Sequence, residues 1–207
     1  MDVFPLHYPG TWLDGLTDDK RPTVEAMLRV CETHVNDAAV GLALFAAAIP
    51  PPAPEGWPRG YAFRLPFIHA HTVLYALDGV EKALHVLARV QGLPGAVAGA
   101  SGSFKSQLPT VRAVRDSSHH LEDRARGLDR DGKPLSLKPV TTMGISAPNG
   151  GMLGTDNLHG NCLAFTGSDG EYHQVEISAA SVAVAQTATQ QVIDALPWRG
   201  PDRTVPL

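Results

Sequence analysis

Cysteine is scarce in this chain of 207 residues. Cys31 and Cys162 are the only two, too few for a disulfide scaffold, and no CxxC pair suggests a metal site. Excess positive charge is lacking as well: 17 Lys and Arg stand against 21 Asp and Glu, for a net charge of −4 and a pI near 6.1. That balance argues against a protein that coats nucleic acid at large, although a local basic patch is compatible with it. Long hydrophobic runs are missing. The longest, from Ala38 to Ile49, is too short to span a bilayer. The opening MDVFPLHYPGTWLDG has neither a basic n-region nor an apolar h-region, so no signal peptide is expected. There is no G-x-S-x-G elbow, since Gly144-Ile145-Ser146 has no matching downstream glycine. Gly150, Gly151 and Gly154 precede no Gly-Lys-Ser/Thr, which excludes a phosphate loop. Asn161 precedes Cys162 and Leu163 and is no glycosylation acceptor. These absences leave a cytoplasmic protein, with no membrane partner, whose 43% hydrophobic content can bury one full core.

The hydrophobic pattern divides residues 1–207, read as one domain, into five stretches. Residues 1–20 read as an arm lying across the surface. Residues 22–128 carry three core helices. The first starts at Pro22 and places Val24, Met27, Leu28, Cys31, Val35, Ala38, Leu42 and Phe45 on one face until the prolines at 50–54 stop it. The second runs from Phe67 to Gln91 on the stripe Ala70, Val73, Leu77, Val80, Leu84 and Leu87. The Ala/Gly/Ser segment from Gly95 to Ser103 reads as a mobile loop. The third helix spans Pro109 to Arg126, with Val111, Val114, Ser118, Leu121 and Ala125 inward and Gly127 as its cap. Residues 129–177 hold an irregular segment and a β-hairpin turning at Gly167-Ser168-Asp169-Gly170. Ser178 caps the last helix over 178–196, Pro197 ends it, and 197–207 form a tail. The expected fold is mainly α: a four-helix bundle with a β-hairpin inserted before the last helix.

Chemistry concentrates on the third helix, in Arg115-Asp116-Ser117-Ser118-His119-His120. A guanidinium grips phosphate oxygens with paired donors, and an imidazole moves protons near neutral pH. Asp116 and His120 are four apart and thus neighbours on a helix surface, where the carboxylate can orient the ring. His119, four after Arg115, is the rival imidazole. His71, Tyr75 and Asp78 form the polar face of the second helix and, with Arg112, are candidate pocket residues. The bland alternative is a solvated helix face of mixed charge.

Arg115, the polar Asp116, three free positions and His120 resemble the signature of the HEPN superfamily, and the expected helical bundle is similar to that family's. The resemblance implies a metal-independent endoribonuclease of a toxin, defence or RNA-processing type, with a composite site where the motif helices of a homodimer meet. Arg115 would then bind the scissile phosphate and stabilise charge in the transition state. His120 would serve as acid or base for attack by the RNA 2′-hydroxyl, with Asp116 holding it. Non-catalytic HEPN domains imply the alternative, a module that binds a nucleotide, RNA or a protein partner. No cofactor or metal is called for under either reading. A metal enzyme using His69, His71, His119, His120 and Asp123 is a weaker alternative, because histidines one or two apart on a helix point away from each other.

Overall fold

The computed structural model describes residues 5–48, 59–142 and 145–205. Among them the chain forms β1 (Leu6–Tyr8), β2 (Trp12–Leu13), α1 (Arg21–Ala48), α2 (Arg59–Leu87), α3 (Gly95–Gln107), α4 (Val111–His119) and α5 (Leu121–Ala125). There follow β3 (Val140–Thr142), β4 (Ile145–Ala147), β5 (Asn157–His159), β6 (Cys162–Thr166), β7 (Tyr172–Glu176), α6 (Ala179–Ala195), β8 (Trp198–Arg199) and β9 (Arg203–Val205). The expectation of a four-helix bundle with one hairpin therefore fails. The described residues make six helices and four small antiparallel sheets, a mixed α/β architecture.

The expected faces of the long helices do build the core. Val24, Leu28, Cys31, Val35, Ala38, Leu42 and Phe45 of α1 are buried, opposite Ala70, Val73, Leu77, Val80, Leu84 and Leu87 of α2. The two helices run antiparallel, with Gly41 against Thr72 and Gly79 against His34. At Gly79 a Cβ would lie 2.2 Å from the His34 ring, so only glycine admits this approach. Burial raises the Cys31 thiol to about 12, as befits an inert core residue. The proline run at 50–54 lies outside the described residues. α2 starts eight residues earlier than the spacing predicts and carries Pro66 inside it.

Three further departures have physical causes. The segment read as a mobile loop is the helix α3, because Val97, Ala100 and Phe104 fall at helical spacing and are all buried. Tertiary burial there outweighs the poor propensity of glycine and serine. The third predicted helix breaks at His120, whose φ of −111° and ψ of 40° leave the helical region. The break turns α5 so that Arg124 is buried and donates to the Leu128 carbonyl, while Leu121 is exposed. Finally, the arm and the tail are strands that close on each other. β1 pairs with β9 and β2 with β8, burying Leu6, Tyr8 and Leu13. Gln190 of α6 clamps the join, accepting from His7 N at 2.9 Å and donating to His7 O at 2.7 Å.

The hairpin stands where the sequence places it. β6 and β7 pair with Phe165 opposite His173, and β5 adds a third strand from the segment read as irregular. Ser178 Oγ accepts from Ser181 N at 3.3 Å as the cap of α6, whose Val182, Ala185, Thr189 and Val192 are buried. No helix among the described residues is long and apolar enough to cross a membrane.

Candidate functional site

α2 and α4 lie side by side with opposite sense, and their polar positions meet in rungs. At one rung Tyr75 Oη is 3.1 Å from Ser118 Oγ, and the Tyr75 ring meets His119 edge-on at 5.2 Å between centroids. One turn further along, Asp78 Oδ2 lies 2.9 Å from Arg115 Nε and 2.6 Å from Lys82 Nζ. The positions follow from periodicity: 71, 75, 78 and 82 fall on one stripe of α2, beside its apolar stripe. Asp78 is 5% exposed, and these two cations are the partners of its buried carboxylate.

Beyond this seam, Asp116 gathers three guanidiniums. Its oxygens lie 2.8 Å from Arg115 Nη1, 2.9 Å from Arg130 Nη2 and 3.9 Å from Arg112 Nε. Arg130 is delivered by a tight loop in which Asp129 Oδ1 accepts from Asp131 N and Lys133 N, both at 2.8 Å. Arg112, Asp116 and Arg130 line a recess of about 250 Å³ together with Lys105, Glu81, Ser168 and His173. Burial, reinforced by the Asp78 charge, raises the Glu81 carboxyl above its ordinary range. On the opposite wall, His173 Nε2 lies 3.0 and 3.1 Å from the two oxygens of Asp169. Burial alone would raise Asp169, but the Glu171 amide and His173 outweigh it and hold the carboxyl low.

The candidate residues from the sequence thus separate into groups. Arg115, Asp116, Asp78 and Arg112 belong to one ionic network. His71, Tyr75 and the rival imidazole His119 form a row of rings, His71 lying 5.7 Å from Tyr75 between centroids. His120 joins neither. It ends α4, is half exposed, and has Asp123 Oδ2 at 3.9 Å from its Nδ1, so Asp123 rather than Asp116 is the carboxylate beside it. The His120 amide still donates to the Asp116 carbonyl at 3.2 Å, but the Asp116 carboxylate is turned to Arg115 and Arg130.

Sequence spacing missed Asp156, Arg64, Arg130 and Lys105. Asp156 has a φ of 60°, unusual for a residue other than glycine, and its oxygens lie 2.7 Å from His71 Nε2 and 2.9 Å from Arg64 Nη1. Burial by itself would raise the Asp156 carboxyl, but the hydrogen bonds from His71 and Arg64 prevail and lower it. The turn-rich Gly154-Thr155-Asp156-Asn157 was the available signal for a left-handed residue.

Among the described residues, His120, Glu122 and Asp123 bring one ligand atom each within 4.8 Å of one another, as do Asp169, Glu171 and His173. Both groups are largely exposed, and His69, His71 and His119 belong to neither. No family model matches the chain, and no curated protein or solved structure matches it either.

Proposed function

We propose that this protein is a binding module for a phosphate-bearing ligand, an RNA strand or a nucleotide, held in the recess between α4, the loop of Arg130 and the β6–β7 turn. The observation that carries this reading is the convergence of Arg112, Arg115 and Arg130 on the single carboxylate of Asp116. One carboxylate cannot use the paired donors of three guanidiniums, so the exposed Arg112 and Arg130 keep N–H groups for an anion. Lys105 adds charge at the same recess. The resemblance of Arg115-Asp116 to His120 to the HEPN signature singles out RNA among phosphate ligands. The acidic chain supplies no general field for nucleic acid, so binding would depend on this local cluster.

A second reading is the metal-independent endoribonuclease built on Arg115, Asp116 and His120. It is favoured by one feature: His119 and His120 both stand exposed at the end of α4, open to the same helix of a second copy. Catalysis would then belong to a homodimer, because within one chain Arg115 is held by Asp78 and Asp116 while His120 sits beside Asp123.

One experiment addresses both. A labelled single-stranded RNA, AMP and inorganic phosphate are titrated against wild type, Arg112→Ala and Arg130→Ala in EDTA at low salt, and the RNA is then run on a gel beside RNA incubated with Arg115→Ala and with His120→Ala. Binding that weakens in both variants, with intact RNA, supports the module. Cleavage abolished by Arg115→Ala and by His120→Ala supports the nuclease. If none of the three probes binds and the RNA stays whole, both readings fall.

A further inference from the structure

Away from the α2–α4 seam, the strands of the two chain ends close over α1 and leave a cavity of about 410 Å³. Its walls carry three aromatic rings, Tyr8, Trp12 and Trp198, two carboxylates, Glu25 and Glu32, and two cations, Arg29 and Arg203. The rings are held in place. Trp198 Nε1 donates to Ile193 O at 2.7 Å, and Tyr8 meets Trp198 edge-on at 5.2 Å between centroids. Trp12 lies against Gly200, where a Cβ would stand 2.5 Å from the indole and where φ is +92°. A half-exposed tryptophan fixed on a glycine is an unusual use of surface unless its face meets something.

The chain itself shows what fits. Arg203, an exposed residue of β9, lays its guanidinium over the Tyr8 ring at 4.0 Å from the centroid. Tyr8 Oη in turn donates to Glu32 Oε2 at 3.1 Å, which adds electron density to the ring that the cation faces. Glu25, Arg29 and Glu32 recur at helical spacing along α1, so with Arg203 swung into solvent the carboxylates outnumber the remaining cation.

We infer that this cavity is a binding site for a guanidinium-bearing ligand, and that Arg203 is its internal occupant, displaced when the ligand arrives. Planar guanidinium stacks on indole and phenol faces and pairs with carboxylates in the same plane, which an ammonium head does less well. The phosphate recess plays no part in this site, so the two readings stand or fall separately.

Isothermal titration of the full chain with two probes tests it: agmatine as a free small cation, and Nα-acetylarginine methylamide as the side chain of a peptide. Saturable binding of either supports the site, and the tighter of the two identifies the source. Arg203→Ala removes the competing occupant and tightens binding, by roughly three- to tenfold, because a larger fraction of molecules is then open. Trp12→Ala weakens it about tenfold through loss of one ring face, whereas Trp12→Phe retains most of the affinity. The inference is overturned if neither probe binds wild type or Arg203→Ala up to about 10 mM. It is equally overturned if Arg203→Ala, a surface change, binds more weakly than wild type.

Discussion

Arg115 Nε lies 2.9 Å from Oδ2 of Asp78, and this contact joins α4 to α2 through charges that are largely buried. The guanidinium that the sequence offers as a phosphate grip is thus also the counter-ion of a core-facing carboxylate. Its Nη1 also reaches Asp116, so within one chain two carboxylates hold Arg115.

Removing Asp78 leaves Arg115 and Lys82 without their shared partner. Breaking one side of a buried pair costs about 3–5 kcal/mol, and the lower end applies here because Arg115 keeps Asp116. Asp78→Ala is therefore expected to lose about 3 kcal/mol in urea unfolding. The Asp78→Ala/Arg115→Ala double variant should lose less than the sum of the two singles. Additive losses would show that the contact contributes no coupling.

Asp116 distinguishes the two functional readings. In a phosphate-binding module its carboxylate opposes the ligand, so Asp116→Asn should tighten RNA binding and steepen its salt dependence. In a nuclease that needs Asp116 to orient an imidazole, the same variant should cut RNA more slowly. Anisotropy titrations at several salt concentrations, paired with a cleavage gel, separate these outcomes. Unchanged binding and unchanged cleavage would remove Asp116 from the site.

How legible the molecule is from sequence depended on whether a signal was local. The faces of α1, α2 and α6, the Ser178 cap and the β6–β7 turn are written in spacing and turn chemistry, and each forms as expected. The pairing of β1 with β9 is not, because short strands near opposite ends of the chain carry no mutual signal until the fold brings them together. At the site, helical spacing predicted that Asp116 and His120 are neighbours; their backbones do bond, but the Asp116 carboxylate goes to Arg115 and Arg130, which no spacing announced. Asp78 was legible as a polar position on α2 but not as the partner of Arg115, since that depends on how two helices lie against each other. Asp156 and Arg130 come from loops whose courses no periodicity describes.

The contact of Asp156 with His71 and Arg64 ties the β5–β7 sheet to α2, and its contribution to stability depends on pH. The folded carboxyl titrates below its ordinary value. Its contribution is therefore complete above the unfolded pKa of about 3.9 and fades as pH falls through the lower folded value. Asn tolerates the left-handed backbone of this position much as Asp does, so Asp156→Asn tests the charge alone. Thermal unfolding should show wild type more stable than Asp156→Asn near pH 6, with the gap closing below about pH 3.5. A gap constant down to about pH 2 would mean that the charge is not its origin.

α3 is the element whose existence rests most on tertiary packing, and two substitutions expose that. Its sequence holds Gly95, Gly99 and Gly102, each worth about 0.5–1 kcal/mol less than alanine in a helix, so the isolated segment would not form one. Phe104 is fully buried among the core side chains and compensates. Phe104→Ala is expected to cost about 3–5 kcal/mol and to release backbone amides 95–107 to exchange while those of α1 and α2 stay protected. The converse change acts at Gly99, where a Cβ meets no atom within 4 Å. Gly99→Ala should therefore stabilise the protein by about 0.5–1 kcal/mol and slow exchange across the same amides. Hydrogen exchange on the two variants reads both predictions at once. Uniform loss of protection in Phe104→Ala, rather than loss confined to α3, would show that this helix unfolds only with the rest of the core.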